Sequence, residues 1–109
     1  MNNKLESLKE KLIEAYFDLD KGIGYNFGRI SIGSCDFSTE DYTYVREYDE
    51  TLDSFDISHD KKAVFPMVKA AKEYTDLVLL ASPWSPPAYM KTNDTREYGG
   101  HLKKEYYPI

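Results

Sequence analysis

The chain has 109 residues, of which 41% are hydrophobic, 15% aromatic and 30% charged, and its formal net charge is −5. This length allows one domain at most, and the acidic balance argues against binding of duplex nucleic acid, which requires a basic surface. No apolar run approaches the ~20 residues of a membrane-spanning helix. The lone Cys35 excludes an internal disulfide, and no Cys and His residues have the spacing of a metal site. We therefore expect a globular chain that binds neither a metal nor a cofactor.

The first predicted element is an amphipathic helix. Asn3 stands three residues before Glu6, as in a capping box, and Gly22 supplies a stop signal. Charged residues separate a set of apolar side chains that recur at the spacing of one helical face. These side chains are Leu5, Leu8, Leu12, Ile13, Tyr16 and Leu19.

The next elements form a strand–helix–strand unit. Residues 25–32 alternate in part, as a strand does, and residues 63–74 have a helical apolar face with Pro66 in the first turn. Residues 77–81 form a continuous apolar run, which is typical of a central strand covered on both faces. This order predicts two parallel strands joined by a right-handed crossover, and hence an α/β fold.

The segments between these elements are polar or rich in proline. Residues 36–58 form a long aromatic loop without a sustained period, and residues 82–89 contain three prolines that we expect to prevent the second strand from continuing. Two strands alone leave two unpaired sheet edges, a state that is marginal in water. We therefore expect a piece of a larger barrel or sheet, which self-associates through its strand edges when isolated.

Candidate site residues lie in the two loops that follow the predicted strands, where active sites of parallel α/β folds gather. The carboxylate of Asp36 could accept hydrogen bonds from sugar hydroxyls, while the ring of Trp84 stacks on the sugar. Asp36 could equally be a turn or cap residue, and Trp84 a ring that covers the sheet mouth. Arg29 either points into a site, where it holds a carboxylate, or extends to water. Cys35 is expected to be a small buried side chain.

Two sequence runs carry a resemblance to a known family. The first is GIGYNFGRISIGSCDFS at residues 22–38, followed by YTY at 42–44, and the second is LASPWSPPAYMKTN at 80–93. By their content, order and separation these runs resemble glycoside hydrolase family 30, the glucosylceramidase-like enzymes. The resemblance extends over essentially the whole chain.

The resemblance implies a retaining β-glycosidase on a (β/α)8 barrel with an accessory β-sandwich. A barrel of this kind takes ~250 residues, so the chain (1–109) would be an incomplete N-terminal part, about two βα units. The family's two catalytic glutamates lie on the fourth and seventh strands. No Glu of this chain follows a predicted core strand, so we expect no catalytic residue here and an inactive isolated chain.

The same resemblance assigns roles to individual residues. It implies that Asp36 and Trp84 hold the non-reducing sugar, that Phe37 lines the pocket and that Arg29 braces the nucleophile. Tyr89 stands where relatives commonly carry Trp, a departure that we expect to alter the pocket rim without changing the reaction.

The implied substrate is a β-glycoside. Relatives of this kind act on glucosylceramide, β-1,6-glucan, other β-glucosides or β-xylosides, in carbohydrate or sphingolipid metabolism. Two alternatives stay open: a non-catalytic carbohydrate-binding module and an inert α/β interaction domain. The first residues lack an apolar export signal, which with the lone cysteine favours the cytoplasm, although a longer protein could be secreted.

Overall fold

The computed structural model describes residues 2–109 of the chain. Two helices and two strands alternate as predicted, and the strands pair in one parallel sheet, which confirms the α/β fold class. In chain order the elements are α1 (Asn2–Phe17), β1 (Phe27–Ile32), α2 (Val64–Lys72) and β2 (Val78–Pro83), with 3-10 turns at Ser58–Lys61, Ala88–Met90 and Lys104–Tyr106. No helix in the described part of the chain is long and apolar enough to cross a membrane.

Helix α1 begins before the position that the sequence predicts. Asn3 and Glu6 both lie inside the helix, so the predicted capping box is wrong. The helix ends at Phe17, and the chain turns back tightly at Gly22. A Cβ atom at Gly22 would lie 2.2 Å from the carbonyl oxygen of Glu14, so only glycine fits this turn.

The other elements differ from the prediction mainly at their ends. Pro66 lies in the first turn of α2, as predicted, where its missing N–H costs no helical hydrogen bond. Strand β1 begins at Phe27, two residues late, and β2 continues past Ala81 to Pro83. The expectation that the proline segment stops the strand at once is therefore wrong. A proline at the end of a strand removes no essential ladder hydrogen bond.

The chain divides into two compact units. One comprises the described residues up to Ile30 with Ser58–Leu80, and the other comprises Ser31–Ile57 with Ala81–Ile109. In the first unit α1 packs on α2, and Ala71 and Leu77 are buried. In the second unit the buried apolar side chains are those of Tyr89 and Met90, both from the segment after β2.

Much of the apolar surface in the first unit is uncovered. Val78 and Leu80 of β2 are exposed, so the prediction of a strand covered on both faces is wrong for this chain. Leu5, Leu8 and Leu12, which form part of the predicted apolar face of α1, are also about half exposed. The apolar pattern therefore marks faces that the described residues do not cover.

Candidate functional site

The loops that follow β1 and β2 line one hollow of about 260 Å³ in the second unit. Every lining residue except Trp84 carries a hydroxyl, thiol or charged group, and Asp36 and Trp84 both line the hollow, so the structure brings these two predicted residues together. Its walls carry four carboxylates, three hydroxyls, one thiol, one indole and one guanidinium. These groups belong to Ser34, Cys35, Asp36, Ser38, Thr39, Glu40, Asp41, Trp84, Arg96 and Glu97.

The other two predicted site residues do not line this hollow. Phe37 is 91% exposed, although it follows Asp36 directly in the chain. Arg29 is the third residue of β1 and belongs to the first unit, where it is exposed. The roles that the resemblance implies for Phe37 and Arg29 therefore stay predictions.

Asp36 lies in a tight turn of the loop that follows β1, four residues after the strand ends. The N–H of Ser38 donates to the carbonyl of Cys35 (3.0 Å), and the N–H of Cys35 donates back to the hydroxyl of Ser38 (3.0 Å). This pair of bonds fixes the backbone on both sides of Asp36, whose exposed side chain lines the hollow. The two interpretations of Asp36 are thus compatible, because a turn residue can present its carboxylate to a ligand.

Arg96 contacts both loops of the hollow and is a lining residue that sequence reasoning missed. It is only 9% exposed. Its Nη1 atom donates to the hydroxyl of Ser34 and forms an ion pair with Asp41. Its Nη2 atom donates to the carbonyl oxygens of Ser34 (3.1 Å) and Ser85 (3.4 Å). The hydroxyl of Ser85 donates in turn to the Arg96 carbonyl oxygen at 2.6 Å.

Ser34 joins this arginine to the start of the long loop. Its hydroxyl donates to Asp41 (2.8 Å) and contacts the backbone of Tyr42, and its N–H donates to the Tyr42 carbonyl (3.1 Å). The bond from the Ser34 hydroxyl to Asp41 has a charged acceptor, and charge-assisted bonds are stronger than neutral ones. The segment from Ser34 to Tyr42 is therefore a closed, cross-linked loop.

Cys35 is half-buried on the wall of the hollow and is not the buried apolar side chain that the sequence predicts. The backbone N–H of Phe37 lowers the pKa of the Cys35 thiol from its ordinary value, and the hydroxyls of Ser38 and Ser31 act in the same direction. Burial and the charge of Asp36 oppose them. The thiol is thus more acidic than a free cysteine, and it faces the same space as Asp36.

Tyr89 is buried in an aromatic cluster and does not line the hollow, so the expectation that it alters the pocket rim stays a prediction. Its hydroxyl donates to the carbonyl oxygen of Asp49 at 2.7 Å, and the rings of Tyr48 and Tyr106 lie 5.6 and 5.8 Å away. Burial raises the pKa of Tyr89, and the negative charge of Asp49 adds to this effect. The tyrosine thereby anchors the long loop to the segment after β2.

Asp49 stabilises the same loop from within. The hydroxyl and the N–H of Ser54 both donate to its carboxylate, and Thr51 donates as well. These hydrogen bonds, first that of the Ser54 hydroxyl, lower the pKa of Asp49 well below its ordinary value. The long loop between β1 and α2 is therefore ordered by local hydrogen bonds, although it contains no strand.

The hollow is suited to a neutral polyhydroxylated ligand. Its four carboxylates outnumber its one guanidinium, which Asp41 neutralises in part, so an anion would be repelled. Carboxylate and hydroxyl oxygens can accept hydrogen bonds from a ligand, and the exposed face of Trp84 offers an apolar surface. Among the described residues, no group of three or more His, Cys, Asp or Glu is placed to hold a metal ion.

Comparison with known proteins decides the family. Residues 2–107 match the family model described as the glycosyl hydrolase family 30 TIM-barrel domain. The chain belongs to glycoside hydrolase family 30. The resemblance that the two sequence runs carry is thereby confirmed, and the fold is that of a fragment of a family 30 TIM barrel.

The relatives of this family 30 chain are much longer. It is 37% identical over 108 residues to the putative glucosylceramidase 3 of Caenorhabditis elegans, covering 92% of this chain and 20% of that protein. It is 36% identical over 100 residues to the lysosomal acid glucosylceramidase of Mus musculus, covering 84% of this chain and 18% of the mouse protein. The chain thus spans about a fifth of the length of the curated relatives that it matches.

Two solved structures have the same local fold. SrfJ from Salmonella typhimurium superposes with a TM-score of 0.86 at 36% identity, over 94% of this chain and 23% of that one. The endo-β-1,6-glucanase BT3312 superposes with a TM-score of 0.74 at 28% identity, over 90% of this chain and 23% of that one.

Proposed function

We propose that residues 1–109 form an incomplete, N-terminal part of the catalytic barrel of a retaining β-glycosidase, and that within the complete barrel they position the sugar that residues outside this chain cleave. The observation that carries this proposal is the hollow that Asp36 and Trp84 share, in a chain that belongs to glycoside hydrolase family 30. Asp36 accepts hydrogen bonds from two neighbouring hydroxyls, and the indole of Trp84 stacks on the C–H face of the ring.

The proposed substrate is a β-linked glucoside. One relative is named a lysosomal acid glucosylceramidase and one structural neighbour an endo-β-1,6-glucanase. Both names refer to a substrate that contains glucose, and the two substrates differ in the group on the other side of the glycosidic bond. A site near the carboxyl ends of β1 and β2 that holds this common unit is compatible with either class of substrate, glucosylceramide or β-glucan.

The chemical step is proposed to need carboxyl groups outside this chain. A retaining enzyme requires an acid and a nucleophile ~5–5.5 Å apart, one on each side of the scissile bond. Of the four carboxylates that line the hollow, Asp41 is paired with Arg96 and Asp36 is assigned to the hydroxyls. The other two, Glu40 and Glu97, are exposed side chains outside the helices and strands, and we propose no catalytic role for them. We further propose that, in a complete barrel, Arg29 braces the nucleophile and the exposed ring of Phe37 extends the sugar pocket.

A chimeric enzyme tests this proposal. The matching segment of the endo-β-1,6-glucanase is replaced by residues 2–107, and hydrolysis of a β-1,6-glucan oligosaccharide is measured. Asp36→Ala is expected to lower kcat/KM about 10²–10⁴-fold, because hydrogen bonds to a charged group contribute roughly 1.5–3 kcal/mol each. Trp84→Ala is expected to raise KM with a smaller loss in kcat, because stacking also holds the ground state.

The matched control is Asp53→Ala, which removes a carboxylate of the same unit that does not line the hollow. This variant should retain the kcat/KM of the chimera. The isolated chain should hydrolyse no aryl β-glucoside above background. Turnover by the isolated chain, or an Asp36→Ala chimera with unchanged kcat/KM, would contradict the proposal.

A carbohydrate-binding module is the second candidate function. It is favoured by the fact that every residue lining the hollow belongs to a single unit of this chain. Because Trp84 is the only tryptophan, its fluorescence reports directly on the hollow. A saturable change on titration with a β-glucose disaccharide would support the binding module, whereas a flat titration is expected for a barrel fragment or for an inert interaction domain.

A further inference from the structure

Arg96 is placed to control how the two loops of the hollow stand relative to each other. One loop, after β1, carries Asp36, and the other, after β2, carries Trp84. The Nη2 atom of Arg96 donates to the carbonyl of Ser34 in the first loop (3.1 Å) and to the carbonyl of Ser85 in the second (3.4 Å). These two acceptors lie two residues before Asp36 and one residue after Trp84.

The arrangement requires the shape of a guanidinium as well as its charge. Nη1 contacts the hydroxyl of Ser34 and the carboxylate of Asp41, so the two terminal nitrogens together reach four oxygen atoms. A planar fork of donors can do this, and a lysine ammonium, which is a compact point charge, cannot. The backbone of Arg96 is also held, because its carbonyl accepts the hydroxyl of Ser85 at 2.6 Å.

The burial of Arg96 sets it apart from an ordinary surface arginine. Only 9% of it is exposed, and a buried charge is costly unless it is paired and hydrogen-bonded. Its Nε atom is buried without a hydrogen-bond partner among the described residues, which adds to that cost. The ion pair with Asp41 and the hydrogen bonds to three oxygens of Ser34 and Ser85 therefore have to offset the cost of burying the charge. Removing these contacts should loosen the two loops.

We propose that Arg96 is a positioning residue that fixes the spacing of Asp36 and Trp84 by joining the two loops through its guanidinium. This spacing decides whether one sugar ring can contact the carboxylate and the indole together, and that consequence rests on the proposed function. The joining of the loops is a property of the chain itself, and the experiment below measures it without any saccharide. The proposal for Arg96 can therefore fail while the glycosidase proposal holds, and the glycosidase proposal can fail while the proposal for Arg96 holds.

Two natural reporters lie in the hollow. Trp84 is the only tryptophan and Cys35 the only cysteine of the chain, and both line it. Access to the indole is measured by acrylamide quenching of its fluorescence, and access to the thiol by the rate of alkylation with iodoacetamide. Far-UV circular dichroism and thermal melting, recorded on the same samples, report whether the chain as a whole is folded.

In Arg96→Gln the two loops should separate while the helices remain. Cys35 should be alkylated about tenfold faster, since the loss of charge-assisted bonds raises the population of locally open states. Acrylamide quenching of Trp84 should rise in parallel. Arg96→Lys should behave like Arg96→Gln, because one ammonium cannot reach both loops.

Lys103→Gln is the matched control. Lys103 also joins two segments of the second unit, because its Nζ atom donates to the Tyr89 carbonyl (2.8 Å) and pairs with Asp94 (3.2 Å), but it does not line the hollow. Both reporters should keep their wild-type values in this variant. An equal change in Lys103→Gln would overturn the proposal, because the loss of another cation of this unit would then expose the two reporters just as much.

Two further results would also overturn it. One is a folded Arg96→Gln chain in which both reporters keep their wild-type values. The other is recovery of wild-type access in Arg96→Lys, which would mean that charge alone holds the loops. If the Arg96→Gln chain unfolds globally, the proposal is tested instead with Asp41→Asn, which removes the charge that pairs with Arg96. A folded Asp41→Asn chain with a more accessible Cys35 supports the proposal, and one that is unchanged or unfolded overturns it.

Discussion

The exposed apolar face of helix α1 leads to the sharpest prediction about how the isolated chain associates. Leu5, Leu8 and Leu12 are 53%, 54% and 50% exposed, and they follow one another along one helical face. Full burial of a leucine contributes about 1.5–3 kcal/mol. Because each of these side chains is about half exposed, burying the rest of it in a contact would contribute roughly 1 kcal/mol more. We therefore predict that the isolated chain self-associates through this face, with the open edges of β1 and β2 as a second route.

The magnitude follows from the number of leucines removed. Leu5→Gln combined with Leu8→Gln deletes about 2 kcal/mol from each copy, and about 4 kcal/mol from a symmetric dimer that buries this face twice. That loss weakens association by roughly 10³-fold. It is an upper value, because part of the gain on contact is spent on lost side-chain and rigid-body freedom.

Sedimentation velocity over a range of concentrations measures the effect. The wild-type chain should shift to larger species as its concentration rises, and the double variant should remain monomeric over the same range. Tyr98→Gln is the control, because Tyr98 is 91% exposed but lies in the second unit. A monomeric wild-type chain with a sharp two-state melt, or an equal effect of Tyr98→Gln, would refute the reasoning.

Three further outcomes are expected from local contacts. Hydrogen bonds from Ser54 hold the pKa of Asp49 below its ordinary 3.8, so the folded chain should lose stability as the pH falls from about 4 to 2. Asp49→Asn should flatten that part of a plot of melting temperature against pH. The alkylation rate of Cys35 should reach half its maximum below the ordinary thiol value of 9.0, and Ser38→Ala should move this midpoint upward. Gly22→Ala should lower the melting temperature of the chain by the equivalent of more than ~1 kcal/mol, because its Cβ would lie 2.2 Å from a backbone oxygen.

The elements were predictable because their signals are local. Apolar spacing identified α1 and α2, and the strand–helix–strand order identified a parallel pair, since a crossover of that kind requires it. The ends of the elements were predicted less well. Asn3 resembles a cap by its spacing from Glu6, yet the helix continues through it, and β2 extends to Pro83 because its last residue needs no ladder donor.

The candidate site was likewise predictable only in part. Asp36 and Trp84 could be placed near each other from topology alone, because each follows the carboxyl end of a parallel strand, and the structure brings them to one hollow. Arg96 could not be found by that reasoning. It lies in a segment with no period, and its partners Ser34 and Asp41 stand 62 and 55 positions away in the sequence. No local pattern encodes a contact over that distance.

The contacts of the chain are distributed unevenly between its regular elements and its loops. The helices and strands of the first unit leave apolar faces open, as the exposure of Leu8 and Val78 shows. The loops of the second unit are instead cross-linked by hydrogen bonds of Arg96, Asp49 and Tyr89, which are directional and need no large core. Burial of an apolar face requires a partner surface, whereas a hydrogen-bonded loop can be satisfied by its own residues. The geometry around Asp36 and Trp84 therefore depends on a few named bonds within this chain, and these bonds can be removed one at a time.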